Sequence, residues 1–364
     1  MSFLKNLFKS KDEKIKTYHD FWQWFQQHEK EFFNVVSQRN NIEKNFFDKL
    51  SPKLAELKEG YFFVTGMQND TTAELILTAD GNPKNIVFVE ELVAAAPVIP
   101  GWTITCLKPS LNIENVNINM GDYEFSKESL GFYANEIPGC PDEIDITVVH
   151  KDCNEDNKKQ ILNGVYIFMD NYLGELDFVN NIDILSVKNK NEAEQEIIPI
   201  EKLKDYLTWR QKEFVEKYEG TRYDTENDTY SVLEATLNNG NPLLAVINTA
   251  LLQWDAKASH PWVAVLTFKF DGRNNNGMPN SKDYELMNNI EDEVMPELKD
   301  SNGHLNIGRQ TADGERDIYF ACKDFRHVSK TFFKVQQQYA GHFEISYDIY
   351  KDKYWQSFER FNGK

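Results

Sequence analysis

The chain has 364 residues, 41% hydrophobic and 13% aromatic, and a formal net charge of -18. That length allows two cores, while its longest apolar runs (86–89, 92–97 and 243–247) fall far short of the roughly 20 residues of a bilayer span. The acid excess repels phosphate backbones, which argues against nucleic acid as a partner and favours a basic protein.

The opening residues carry no apolar core of signal-peptide length, so a cytoplasmic protein is expected. Phe3, Leu4, Leu7 and Phe8 opposite Lys5, Lys9 and Lys11 have the spacing of a short amphipathic helix, but a frayed or docked terminus is the plainer expectation. Four widely spaced cysteines (Cys106, Cys140, Cys153 and Cys322) contain no C-x-x-C pair, and no disulfide is expected. Residues 1–220 carry 24 basic and 37 acidic side chains and residues 221–364 carry 16 and 21, so the acid belongs mainly to the first part.

In chain order, Tyr18, Phe21, Trp22, Phe25, Phe32 and Val36 recur at helical spacing and predict a helix over 18–38 with an aromatic core face. A second helical stretch, 42–57, should be interrupted near Ser51-Pro52. Strands at 61–66 and 73–78, a helix over 85–96 and a strand over 102–107 make a ββαβ order. A similar order is read after Pro109, from strands at 123–125 and 144–150, a helix over 155–172 and a strand over 182–187. A helix over 200–218 stops at Gly220, and the polar run 221–229 reads as a linker. Two domains are therefore expected: 1–220, an acidic α+β domain with possible ββαβ repeats, and 221–364.

In the second domain, β-compatible runs flank Asn238-Asn239-Gly240-Asn241, which is hairpin chemistry, with a helix starting at Asn241-Pro242 as the competing reading. Strand 262–270 follows. Tyr284, Met287, Ile290, Val294 and Leu298 mark a helix that Pro296 should shorten, and strands 304–309 and 315–322 meet at Asp313-Gly314. A helix capped by Asp324 carries Phe325, Val328, Phe332, Val335 and Tyr339, and Phe343, Ile345, Tyr347 and Ile349 alternate through the last strand. Strand, helix, strand, strand, helix, strand with right-handed crossovers predicts a ferredoxin-like domain: a four-stranded antiparallel βαββαβ sheet with both helices on one face. The other face is left for a partner.

Trp262 before an alternating strand, Gly277-Met278-Pro279, Ile290-Glu291-Asp292-Glu293, Gly308-Arg309-Gln310-Thr311, Asp313-Gly314-Glu315-Arg316 and Asp352-Lys353-Tyr354-Trp355 together resemble the bacterial domain-of-unknown-function family 695, over about residues 222–360. The resemblance implies a module without an assigned reaction.

The catalytic apparatus of the common enzyme classes is missing from the sequence: there is no G-x-S-x-G, H-E-x-x-H, P-loop or G-x-G-x-x-G. His150, Asp152 and Cys153 cluster, but a strand-end turn is expected there rather than a metal centre. Asp152-x-Asn154-x-Asp156 fails as a calcium loop, having Asn157 where Gly is required and Asn163 where Glu should chelate. No cofactor is expected. The candidate binding residues are Arg309, Thr311 and Arg316, whose guanidinium groups have the reach to grip a carboxylate or phosphate, together with His260 and Trp262 at the mouth of a pocket. The plainer alternative pairs each arginine with a neighbouring acid such as Asp313 or Glu315. Tyr319, Tyr350, Trp355 and Phe358 should supply aromatic surface near the sheet or the tail. The expectation is a non-enzymatic protein-binding or regulatory module. The alternatives are an enzyme of unrecognised type with a pocket between the domains, or an immunity protein against a basic toxin.

Overall fold

The computed structural model describes residues 14–362; the amphipathic pattern of Phe3, Leu4, Leu7 and Phe8 lies outside them. By compactness the chain divides into two units. One runs to Val116 and adds Ile167–Val179, and the other comprises Asn117–Tyr166 and everything from Asn180 onward. Among the described residues no helix is long and apolar enough to cross a membrane.

In the first unit, helix α1 (Tyr18–Gln38) begins in a capping box between Thr17 and Asp20 and ends at Arg39 in the left-handed region. Its stripe of Phe21, Trp22, Phe25 and Phe32 is buried, and Phe25 meets Trp102 edge-on at 5.1 Å. Helix α2 (Asp48–Leu57) runs through Pro52. The irregularity falls earlier, in a wide π turn over Glu43–Phe47. Strands β1 (Phe62–Asn69) and β2 (Thr72–Thr78) are antiparallel, and helix α3 (Pro83–Ala94) leads to β3 (Trp102–Cys106), which is parallel to β2. Segment 167–179 is tied in by the buried carboxylate of Glu175. It accepts from Thr78 Oγ1 at 2.5 Å and from the amides of Ala79, Gly81 and Lys108 at 3.0, 2.9 and 3.1 Å. A carboxylate with four donors satisfies a loop that would otherwise bury bare N–H groups.

The second unit starts with a short ribbon, β4 (Ile118–Met120) and β5 (Tyr123–Phe125), so the strand at 123–125 pairs locally. Strands β6 (Leu130–Asn135) and β7 (Asp145–His150) are antiparallel. The chain then runs through helices α4 (Lys158–Leu173) and α5 (Glu175–Asn181), whose residues 167–179 belong to the first unit, to β8 (Ile184–Lys188), which is parallel to β7, and β9 (Ile198–Pro199) joins β6. Helix α6 (Leu203–Tyr218) follows. The order strand, strand, helix, strand thus occurs twice with the same pairing senses.

The last part corrects the expectation of a four-stranded ferredoxin-like sheet. Strands β10 (Ser231–Thr236), β11 (Pro242–Ile247), β12 (Trp262–Lys269), β13 (His304–Ala312), β14 (Glu315–Cys322) and β15 (Glu344–Lys351) form one six-stranded antiparallel sheet, in the order β10-β11-β13-β14-β12-β15. Helices α7 (Ser281–Val294) and α8 (Phe325–Tyr339) accompany it, and α7 ends two residues before Pro296. The hairpin reading of 230–248 holds, with Leu237 N–H bonded to Asn241 O at 2.8 Å. That hairpin joins the sheet because β13 is bulged between Asn306 and Gly308, where Gly308 (φ 133) lets the backbones close up. A Cβ there would stand 2.1 Å from Val246 O.

Alternation sorts the side chains to two faces. Ala264, Leu266, Phe268, Ile318, Phe320, Ile345 and Tyr347 meet the helices; Phe332 of α8, for example, packs on Phe320 and Tyr347. The opposite face, expected to stay open, is covered at one end. Leu251, Leu252, Trp355, Phe358 and Phe361 bury Val263, Leu305, Ile307, Tyr319 and Ala321 there. The chain after β15 turns back at Trp355 (φ 56), and its indole N–H bonds to His260 O at 3.0 Å. Aromatic residues that read as surface are therefore core.

Candidate interaction surface

Antiparallel register places Val232, Val246, Arg309, Ile318 and Leu266 in one cross-strand row, and Glu234, Leu244, Thr311, Arg316 and Phe268 in the next, all on the helix-bearing face. Along both rows the environment changes in the same way. Over β12, and at Ile318 of β14, the residues are apolar and buried. At β13 and β14 a polar seam follows: Arg309 pairs with Glu291 of α7 at 2.7 Å, while Arg316 donates to Thr311 Oγ1 at 3.1 Å and to Asn288 Oδ1 at 2.8 Å. Beyond the seam, on β11 and β10, Val232 is 66% and Leu244 38% exposed beside the half-buried Val246. The two helices thus close over the sheet from β15 to β13 and leave Val232, Leu244 and Val246, beside Glu234, at its β10 side.

Arg316 is buried, with its guanidinium 5.0 Å from the Tyr284 ring centre; burial, reinforced by the charge of Arg309, pulls its pKa down to about 10. It stays charged at neutral pH, held by neutral oxygens and an aromatic face. Neither arginine pairs as the sequence suggested. Asp313 is held by the amides of Asn239 and Asn241 at 2.6–3.0 Å, and Glu315 lies 3.9 Å from Lys269.

The structure brings Arg309, Thr311 and Arg316 together but sets His260 and Trp262 apart. Trp262 pairs across the sheet with Cys322, six residues from Arg316 along β14, a separation of about 20 Å. Trp262 is core, edge-on to Phe325 at 4.8 Å. His260 is buried against Trp254, with Nδ1 2.9 Å from Ser259 Oγ, and burial pulls its pKa down to about 3. The neighbouring His304 is also buried, its Nδ1 without a partner among the described residues, and burial lowers its pKa to about 4. Both rings are buried and neutral at physiological pH.

Two other polar places stand out in this unit. A cleft of about 810 Å³ opens where loop 270–277, the Asp313-Gly314 turn and residues 342–344 meet. Its charges are mostly engaged, Arg273 with Asp271 at 2.7 Å and Lys269 with Glu344 at 2.9 Å. A buried cluster joins Asp183 to Lys351 at 2.8 Å and to Lys353 at 2.6 Å, and Tyr354 donates to Asp142 at 2.5 Å. The Asp352-Lys353-Tyr354-Trp355 motif is thus a structural staple. His150 is saturated too, through Glu124 O at 3.0 Å and Asp152 N at 3.1 Å. Among the described residues no group of three His, Cys, Asp or Glu side chains is placed to hold a metal ion.

These features define an α+β protein whose last third is a six-stranded antiparallel sheet, half roofed by two helices, with an apolar strip beyond the roof. That third, residues 232–361, matches the model of a family of unknown function, DUF695. The match starts at Val232 of the exposed strip and ends at Phe361, so it takes in the sheet, both helices and the aromatic cover of the second face. No curated protein and no solved structure matches the chain.

Proposed function

We propose that this chain is a non-enzymatic, cytoplasmic protein-binding module that docks a partner protein on the strip formed by Val232, Leu244 and Val246. The observation that carries the reading is the exposure of Val232 and Leu244, diagonal neighbours beside Glu234, on a sheet face whose β12 residues are apolar and mostly buried. The described polar groups support binding over catalysis. His260, His304 and Arg316, three strongly shifted groups of the matched segment, are packed inside the protein, while in the open cleft the shifted Asp271 is paired with Arg273. The acid excess favours a basic partner.

The test is affinity capture from the source cell with wild type and with Val232→Glu/Leu244→Glu, both checked for native circular dichroism. A stoichiometric partner held by wild type and released by the variant is expected. Equal retention, or no stoichiometric partner on wild type, would refute the reading.

A further inference from the structure

The strip ends at a sheet edge, and the two edges of this sheet differ. β15 exposes Glu344 and Asp348, and its Lys351 reaches out to Asn180 O at 2.6 Å, so that edge is charged and partly covered. β10 carries fewer guards, with Glu234 its one charged residue. Its six residues, Ser231-Val232-Leu233-Glu234-Ala235-Thr236, contain no proline, lysine or arginine and pair with β11 without a bulge. Among the described residues no backbone hydrogen bond reaches these six from the side away from β11. A row of N–H and C=O groups therefore faces outward beside apolar side chains, which is the geometry that receives an added strand.

Charge selects the occupant. From Tyr223 to Ala256 the chain has no lysine or arginine but five acids: Asp224, Glu226, Asp228, Glu234 and Asp255. Asp228 is engaged by Tyr223 and Asn248, whereas Glu226 and Glu234 are exposed. A second copy of this chain would bring the same acids against them, and like charges across paired strands are unfavourable. A strand with an apolar and a basic residue two positions apart, and so on one face, would lay the apolar side chain along Val232 and the cation against Glu234.

We propose that the β10 edge takes such an extended basic segment of a partner protein as a seventh strand of the sheet. This rests on the protein-binding reading and deepens it. The probe is a blocked, fluorescein-labelled ten-residue peptide with valine and lysine alternating along one face and threonine filling the other, titrated into the full chain at low salt and followed by anisotropy and amide hydrogen exchange. The expected result has three parts: amides of 231–236 exchange at least tenfold more slowly with peptide bound, a peptide of equal charge with a central proline binds at least tenfold more weakly, and Glu226→Lys/Glu234→Lys weakens binding at least tenfold. Absence of binding, equal binding of the proline peptide, protection away from β10, or indifference to the charge reversal would each overturn the proposal. The two readings fail separately. A native partner released by Val232→Glu/Leu244→Glu but retained by Glu226→Lys/Glu234→Lys leaves the docking strip standing without the added basic strand, and retention by both variants removes both.

Discussion

Two buried histidines should make this protein acid-sensitive well above the carboxylate range. His260 and His304 have folded pKa values of about 3 and about 4, against 6.5 for an ordinary histidine, because burial disfavours the charged ring. Below pH 6.5 the unfolded chain takes up protons that the folded chain refuses, so stability falls as pH drops and continues to fall until the folded values are reached. At pH 5.0 each histidine removes about 2 kcal/mol relative to pH 7.5, about 4 kcal/mol together, which is a large share of the 5–15 kcal/mol typical of a domain. Asp142 and Asp183, whose folded carboxyls are held low, contribute stability that is lost only as pH falls below the ordinary carboxylate value, so they stay out of this window. Glu143 and Asp170, raised by burial, act in the opposite direction, and comparing a variant with wild type cancels them. Urea unfolding of wild type and of His260→Asn/His304→Asn at both pH values is the assay. The variant's loss between pH 7.5 and 5.0 should be smaller than that of wild type by about 4 kcal/mol. An unchanged loss in the variant would refute the reasoning.

Asp183→Asn should cost about 3–5 kcal/mol, since it takes the negative charge away from the buried ammonium groups of Lys351 and Lys353; calorimetry should show a clear drop in Tm, and a variant within 1 °C of wild type would contradict the staple. Gly308→Ala drives a Cβ into Val246 O and should destabilise by more than about 2 kcal/mol. Hydrogen exchange should then show β10 and β11 opening before the rest of the sheet, and uniform exchange would argue that the hairpin does not depend on this close approach.

Much of the local structure was written in the sequence. Phe343, Ile345, Tyr347 and Ile349 alternate because one face of β15 is buried, and all four are less than 7% exposed. Helix α8 and its Asp324 cap, and the hairpins at Asn238–Asn241 and Asp313-Gly314, were equally legible, because periodicity and turn chemistry act over a few residues. The separation of Trp262 from Arg316 was legible in principle, since Phe268 pairs with Arg316 and Trp262 lies six residues before it on the same strand. The register was the missing piece.

Tertiary structure alone decided that the 231–247 hairpin would extend the sheet, since strand pairing is non-local and an apolar strand does not name its neighbour. Gly308 was the one available signal, and its meaning depends on which backbone approaches it. The same holds for the second face, where Trp355, Phe358 and Phe361 look like a tail until the chain reverses over Val263 and Tyr319. It holds also for the interaction strip. Val232, Leu244 and Val246 are ordinary β residues in sequence, and they are left exposed or half-buried because two helices have the breadth to cover the sheet from β15 to β13 but not its β10 side. Composition set which side chains seek burial, and the finite reach of the helices determined which of them stayed at the surface.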